Sequence, residues 1–279
     1  FYQSASVRKI KRKERILLFM ETNAKRDSQE APYTLEVCAD CTESALEAAE
    51  NGATRLELCA NLVIGGTTPS LELFREIRAE SDIDINVLIR PRFGDFHYTD
   101  HELAIMCREI ETFAREGAHG IVIGSLYSDG SLHVPQMKEM IAAAGNCHIT
   151  LHRAFDVCRD PFEVMEQAAG LGVDTILTSG QEASCLAGRD MLKQLIEKAP
   201  EGMDILIGAG VTPEVIRQIL SQMPAKHFHM SGKKVLDSAM TWRNPKVNMG
   251  LPGISEFEIY RTDGAVIREA KEILESKWS

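Results

Sequence analysis

Eight short runs of β-branched and apolar residues recur along the chain, and their first residues lie about 27 positions apart. This spacing leaves room for a helix and two loops between consecutive strands, which is the connection that parallel strands need. Eight alternating strand and helix units favour a single-domain (β/α)8 TIM-type barrel over an open doubly wound sheet. The predicted strands are 34–39, 54–60, 85–90, 120–125, 148–153, 174–179, 204–209 and 226–231.

Helix start signals follow several of these runs. Asp40, Thr99 and Asp160 each stand three residues before a glutamate, which is the spacing of a capping box that satisfies two amides at a helix start. Thr68 and Thr212 each precede a proline, which predicts an N-cap followed by proline at the first helical position. These signals support the alternation of strands and helices.

The charge distribution separates an N-terminal segment from the rest of the chain. The whole chain has a formal net charge of −10, but residues 1–30 hold eight Lys and Arg against four Asp and Glu. This composition predicts a basic, disordered extension over 1–30, with a transit peptide as the alternative, ahead of one barrel domain over 31–279. Within that domain we expect a long loop after the eighth strand and a final helix over 264–277.

Composition argues against several classes of function. No apolar run approaches the roughly 18 residues that a membrane span needs, so we expect no membrane partner. The acidic domain argues against nucleic acid, whose phosphates bind basic surfaces. Seven cysteines, an odd number with no secretory signal, predict free thiols in a reducing compartment and not a disulfide scaffold.

Alternation along the predicted strands sorts polar side chains from apolar ones, because residues two apart share a face. The apolar faces suit contact with the surrounding helices, so the polar faces are predicted to point into the barrel. Burying one unpaired ion costs several kcal/mol. A large set of inward polar groups therefore indicates a ligand site at the C-terminal rim. The alternative is a buried structural ion network. The inward set is Glu36, Cys38, Glu57, Cys59, Arg90, Arg92, Thr150, His152, His227, His229 and Ser231.

Two neighbouring strands each carry the sequence Glu-x-Cys. Adjacent strands lie about 4.8 Å apart, so Cys38 and Cys59 at matched heights would both reach one metal ion. Thiolates prefer soft ions such as Cu(I), or Zn²⁺. The alternative for each cysteine is a small buried core residue. Cys41 completes a C-x-x-C sequence with Cys38 and is either a third ligand, half of a redox pair, or neither.

Seven segments then form an ordered series: Leu35-Glu36-Val37-Cys38, Arg55-Leu56-Glu57-Leu58-Cys59, Gly65-Gly66-Thr67-Thr68-Pro69-Ser70, Ile89-Arg90-Pro91-Arg92-Phe93-Gly94-Asp95-Phe96, His152-Arg153-Ala154-Phe155-Asp156, Leu177-Thr178-Ser179-Gly180 and Trp242-Arg243-Asn244. This series resembles the CutC copper homeostasis proteins. The resemblance implies a TIM-type barrel, a cytoplasmic location, a role in copper tolerance, and assembly into homodimers or larger homo-oligomers. It also implies Cu(I) as the bound ion, with Cys38 and Cys59 as its ligands. Residues 1–30 lie outside the resemblance.

Arginines near the predicted rim suit another kind of ligand, because they would repel a cation and favour carboxylate or phosphate oxygens. The glycine-rich turn from Gly208 to Pro213 resembles the phosphate-binding turns of TIM-barrel enzymes, with a tight βα turn as the alternative. Ser231 to Lys234 would complete the same site. The residues predicted to bind a small anionic metabolite are Arg90, Arg92, Arg153, Thr178, Gly208, Gly210, His229 and Ser231.

Acid–base groups complete this second interpretation. His152 is expected to titrate near neutral pH, and beside Glu36, Glu57 and Asp156 it would act as a general acid or base. The sequence therefore supports two hypotheses. One is a cytoplasmic copper homeostasis protein that binds Cu(I) through its strand cysteines. The other is a TIM-barrel enzyme of the isomerase or lyase class that acts on a small anionic metabolite, with indirect effects on copper.

Overall fold

In the computed structural model, the first strand of the described residues begins at Thr34. The predicted basic extension over 1–30 lies outside the residues that the structure describes. Among the described residues, no helix combines the length and apolar character needed to cross a membrane. The described residues are 32–244, 246–247, 249–250, 253 and 255–278.

Eight parallel strands pair in sequence order and close into a barrel where β8 pairs with β1, which confirms the predicted (β/α)8 TIM-type fold. The strands are β1 (Thr34–Ala39), β2 (Arg55–Leu58), β3 (Asp84–Leu88), β4 (Gly120–Ile123), β5 (His148–Leu151), β6 (Thr175–Thr178), β7 (Asp204–Ile207) and β8 (His227–Met230). The helices that follow them are α1 (Thr42–Glu50), α2 (Leu71–Glu80), α3 (Asp100–Arg115), α4 (Val134–Ala144), α5 (Pro161–Gly170), α6 (Arg189–Lys198), α7 (Pro213–Leu220) and α8 (Gly264–Trp278).

Most strands end two residues before the predicted run does. β3 ends at Leu88 and β5 ends at Leu151, so Arg90 and His152 lie on the rim and not within a strand. Short 3₁₀ segments follow β2 at Leu62–Ile64 and β5 at Arg153–Val157. The polar side chains after the strands are therefore carried by the loops at the C-terminal end of the barrel, where TIM-barrel sites are built.

Three of the predicted helix starts are confirmed. Thr99 and Glu102 form a reciprocal capping box at the start of α3. Asp160 accepts two amide hydrogen bonds at the start of α5. Thr212 accepts the amide of Val215 and precedes Pro213 at the start of α7.

Two predicted caps are wrong, because their side chains serve the rim of the barrel. The Asp40 carboxylate accepts the amide of Leu62 at 3.3 Å, on the loop after β2. The Thr68 hydroxyl accepts the amide of Arg90 at 3.0 Å, and Ser70 caps α2 in its place. Both residues therefore tie neighbouring rim loops together.

The segment after β8 is not a simple loop. It begins with β9 (Lys233–Asp237) and ends with β10 (Glu258–Thr262), which pair as a two-stranded antiparallel sheet before the predicted final helix. Every residue of β9 is exposed, so the strand lacks the apolar alternation by which sequence analysis recognises a strand. The small sheet adds a wall to the C-terminal end of the barrel.

The barrel interior is polar where alternation predicted it. Glu36 and Thr150, which were predicted to point inward, are fully buried inside the cylinder, as is Asn86 on β3. Leu35 and Leu56, on the opposite faces of β1 and β2, belong to the apolar core between strands and helices. The predicted directions of the β1 and β2 side chains are therefore confirmed.

Candidate functional site

Glu36 is the centre of a buried ionic network inside the barrel. It is fully buried and lies in register with Arg55 on β2 and His229 on β8. Arg55 Nε donates to Glu36 Oε2 at 2.5 Å, His229 Nδ1 lies 2.8 Å from Glu36 Oε1, and Asn86 donates at 3.4 Å. Burial alone would raise the pKa of Glu36, but Arg55 and His229 outweigh burial and lower the pKa to about 2.

Glu57 is a buried carboxyl in a different environment. Its side chain is 8% exposed, and His229 Nε2, 3.9 Å from Glu57 Oε2, is too distant for a hydrogen bond. Burial raises the pKa of Glu57 to about 7; the charge of His229 opposes this shift and the charge of Glu36 adds to it. A carboxyl with a pKa near neutrality can serve as a general acid or base at physiological pH.

His229 lies between these two carboxylates. Its Nδ1 faces Glu36 and its Nε2 faces Glu57. Burial would lower the pKa of His229, but Glu57, Cys38 and Glu36 raise it well above its usual value. The sequence pattern placed these residues on one face, but it did not show that the Glu36 carboxylate would bind Nδ1 and orient the imidazole.

The two strand thiols are neighbours, but they are not at matched heights. The register pairs Cys38 with Glu57, so Cys59 lies two residues further toward the rim than predicted. Each thiol donates to a backbone carbonyl at 3.6 Å, Cys38 to Met230 and Cys59 to Ala39. Cys59 is fully buried, and burial followed by the charge of Cys38 raises its pKa well above the usual value.

A cavity of about 940 Å³ opens above this network at the C-terminal end of the barrel. Two of its cationic side chains, Lys233 and Arg261, come from β9 and β10. Arg261 was not among the predicted site residues, because its strand lies about 30 residues beyond β8 in a segment without periodicity. Eight predicted site residues line the cavity: Cys38, Glu57, Arg90, His152, Arg153, Gly210, His229 and Ser231.

Arg92 is not part of the cavity wall, and the prediction that it shares a face with Arg90 is wrong. Strand alternation ends with β3 at Leu88, so it does not determine the direction of residue 92. Arg92 Nε donates to Glu102 at 2.5 Å, and Arg92 also pairs with Asp95. These two carboxylates hold the guanidinium at the start of α3.

Asp156 and Thr178 support the rim from outside the cavity wall. The Asp156 carboxylate accepts the Thr178 hydroxyl at 2.5 Å and the Ser179 amide at 3.0 Å. It also accepts Arg153 Nε at 2.6 Å, which orients this cavity-lining cation. These contacts make Asp156 a positioning residue for the loops after β5 and β6.

The turn after β7 approaches the cavity as a backbone surface. A Cβ at Gly208 would lie 2.7 Å from Leu177 Cδ1, so a larger residue here would require the Leu177 side chain to move. Ala209 and Gly210 have left-handed φ values of 72° and 79° and line the cavity. The predicted glycine-rich turn therefore brings Gly210 to the site, whereas Gly208 only packs beneath it.

Arg90 and His152 share a contact with Phe96 at the rim. The Arg90 guanidinium lies 5.0 Å from the Phe96 ring centroid and donates to the carbonyls of Gly66 at 3.1 Å and Gly94 at 2.7 Å. Among the described residues, its buried Nε has no hydrogen-bond partner. Most of the hydrogen-bond donors of Arg90 therefore bind backbone carbonyls of the rim loops.

His152 is a neutral imidazole in this environment. Burial and the charge of Arg90 lower its pKa to about 3, so the prediction that it titrates near neutral pH is wrong. His152 Nδ1 accepts the amide of Ala154 at 3.2 Å, which places the ring proton on Nε2. This buried Nε2 has no partner within the described part of the chain and is available as a donor.

Comparison with known proteins agrees with this architecture. The CutC family model matches residues 33–234. A CutC family protein of Parabacteroides distasonis is 45% identical over 82% of this chain and 95% of its own length. The human copper homeostasis protein cutC homolog is 38% identical over 85% of this chain and 87% of its own length. The crystal structure of CutC from Streptococcus agalactiae superposes with a TM-score of 0.68 at 30% identity, over 71% of this chain and 98% of that chain. The chain belongs to the CutC family.

Proposed function

We propose that this protein is a cytoplasmic copper homeostasis protein that binds Cu(I) through Cys38 and Cys59 at the barrel mouth. Its human relative carries copper homeostasis in its name. We further propose assembly as a homodimer or larger homo-oligomer, which the exposed apolar side chains Trp242 and Met249 between β9 and β10 support.

The observation that supports the copper site is the proximity of two thiols on adjacent strands. The Cys59 amide bonds to the carbonyl of Ala39, the residue after Cys38. The thiols are close enough for a charge on Cys38 to raise the pKa of Cys59. A bound Cu(I) would replace the thiol protons and compensate the charge of the thiolates. Thiolates are the ligands that select Cu(I), so the donor set fits this ion.

Anaerobic Cu(I) titration against a competing chelator tests this site. We expect one Cu(I) per chain in the unmodified protein and loss of this binding in the Cys38→Ser/Cys59→Ser variant. Cys107→Ser/Cys147→Ser is the control, because Cys147 also donates to a backbone carbonyl at 3.6 Å but lies far from the barrel mouth. Tight binding that survives the first double substitution would contradict the bis-thiolate site.

The chemistry of the cavity favours a second candidate function, an isomerase or lyase reaction on a small anionic metabolite. Arg153, Lys233 and Arg261 place three cations around one cavity, and Gly210 adds backbone from the turn after β7. These groups suit carboxylate or phosphate oxygens. Effects on copper would then be indirect.

Two groups in the same wall suit proton transfer. Glu57, with its pKa near 7, would remove a proton from carbon next to a carbonyl or carboxylate. The neutral His152 would donate its Nε2 hydrogen to the oxygen that gains negative charge. A buried donor without a partner is ready for this role, because it needs no rearrangement to form the bond.

A thermal-shift screen with carboxylated and phosphorylated metabolites tests this candidate. A ligand at about 100 times its Kd stabilises by roughly 2.7 kcal/mol, which is about 5–10 °C for a chain of this size. We expect Arg153→Ala to remove most of this shift. Arg92→Ala is the matched control, because both arginines lie on the rim and pair with an aspartate three residues later. Equal stabilisation of both variants, or none of the unmodified protein, would argue against the anion site.

A further inference from the structure

Glu57 and His229 face each other below the cavity without a direct bond. Glu57 Oε2 lies 3.9 Å from His229 Nε2. Two ligand atoms on a tetrahedral zinc, with bonds of about 2.0–2.1 Å, stand about 3.3 Å apart. A shift of about half an ångström would therefore bring both atoms to bonding distance from one ion between them.

Glu36 completes a pattern found around metal-bound histidines. A histidine ligand commonly donates its second ring N–H to a carboxylate, which fixes the orientation of the imidazole and increases its basicity. His229 Nδ1 lies 2.8 Å from Glu36 Oε1, while its Nε2 is directed toward Glu57. Arg55, at 2.5 Å from the other Glu36 oxygen, compensates the charge of this carboxylate.

The Glu57 carboxylate itself indicates a missing partner. Its side chain is more than nine-tenths buried, yet within the described residues no group donates a hydrogen bond to it. Buried carboxylates are normally hydrogen-bonded, paired or bound to a metal ion. A cation at this position would satisfy the carboxylate.

We propose that Glu57 and His229 bind a divalent first-row metal ion such as Zn²⁺, with Glu36 as the carboxylate that orients His229. The three side chains offer ligand atoms within 4.8 Å of one another. Carboxylate oxygen and imidazole nitrogen suit Zn²⁺, whereas Cu(I) prefers sulfur. The cavity above Glu57 and His229 leaves the remaining coordination positions open to water or to a small anion. The proposal does not depend on the Cu(I) site, although the Cys38 thiol lies beside His229.

Zn²⁺ titration by calorimetry, with Co²⁺ absorption as a spectroscopic readout, tests the proposal in the Cys38→Ser/Cys59→Ser background. This background matters because Cys38 is in register with Glu57 and its thiol would otherwise contribute. We expect one Zn²⁺ per chain, an affinity loss of at least about 100-fold when Glu57→Gln or His229→Gln is added, and a loss of about 10–100-fold with Glu36→Gln.

His227→Gln is the matched control. His227 lies on the same strand, and its Nε2 is 3.3 Å from the Asp204 carboxylate, but it is two residues nearer the opposite end of the barrel. We expect this variant to bind Zn²⁺ like its parent. The proposal fails if the Cys38→Ser/Cys59→Ser protein binds no Zn²⁺, or if adding Glu57→Gln leaves its Zn²⁺ affinity unchanged. Either result leaves the Cu(I) titration unaffected, so the two sites are tested separately.

Discussion

Replacing Glu36 with alanine is expected to lower the free energy of unfolding by about 3–5 kcal/mol, because it leaves buried charges without a partner. Glu36 is fully buried and compensates both Arg55 and His229 inside the barrel. In a chain of this size the loss corresponds to a fall in the unfolding midpoint of about 10 °C.

Urea unfolding and thermal melts of the variant measure this effect. Glu36→Gln keeps an oxygen acceptor and is expected to lose less stability than Glu36→Ala. Glu72→Ala is the control, because its ion pair with Arg75 is exposed and contributes little. If Glu36→Ala unfolds at the same urea concentration as the unmodified protein, the network does not stabilise the barrel.

The barrel could be predicted because its signal is local and repeated. Runs of apolar residues such as Ile121 to Ile123 are buried on both faces, and helix start signals such as Thr99 and Thr212 stand between the runs. Eight repeats of a strand followed by a helix are then compatible with only a few chain topologies. The sheet of β9 and β10 could not be predicted, because an exposed two-stranded sheet buries too little to impose a pattern on its sequence.

The site was predictable as far as strand alternation extends. Alternation correctly directed Glu36 and Glu57 inward, because both lie within strands. It failed for Arg92, which lies beyond the end of β3. Alternation also does not determine the register in which β1 pairs with β2. The relative heights of Cys38 and Cys59 depend on that register and not on the sequence of either strand alone.

Protonation was the least predictable property of the site. His152 and Glu57 look ordinary in sequence, but burial lowers the pKa of His152 to about 3 and raises the pKa of Glu57 to about 7. The group suited to exchange a proton near neutral pH is therefore the carboxyl and not the imidazole. This assignment depends on how deeply each side chain is buried, which no local pattern contains.

The pH dependence of stability should show the raised pKa of Glu57. The folded state holds the Glu57 proton up to about pH 7, whereas the unfolded chain releases it near the ordinary glutamate pKa of 4.5. Its contribution to stability is therefore present below pH 4.5 and is lost as the pH rises through 7. The raised pKa of His229 acts in the same direction, and the lowered pKa of Glu36 acts only as the pH falls from 4.5 toward 2.

Glu57→Gln is expected to raise the free energy of unfolding by about 3 kcal/mol at pH 8 and to leave it nearly unchanged at pH 4.5, since one pKa unit corresponds to about 1.4 kcal/mol. Urea unfolding at both pH values measures the difference. Glu102→Gln is a control of opposite sign. The hydrogen bond from the Thr99 amide lowers the pKa of Glu102, so this substitution should lower the free energy of unfolding at pH 8. A Glu57→Gln gain that is equal at both pH values would show that the carboxyl does not titrate as described.

This result also determines how the Zn²⁺ titration is interpreted. A variant that is more stable than its parent at pH 8 cannot lose Zn²⁺ through unfolding, so lost binding must come from the lost carboxylate. If the ion binds between Glu57 and His229, Zn²⁺ should stabilise the unmodified protein at pH 8, where the proton no longer satisfies Glu57. The metal-free gain of Glu57→Gln and the Zn²⁺ stabilisation of the parent would then have one physical cause, relief of the desolvation cost of the buried Glu57 charge.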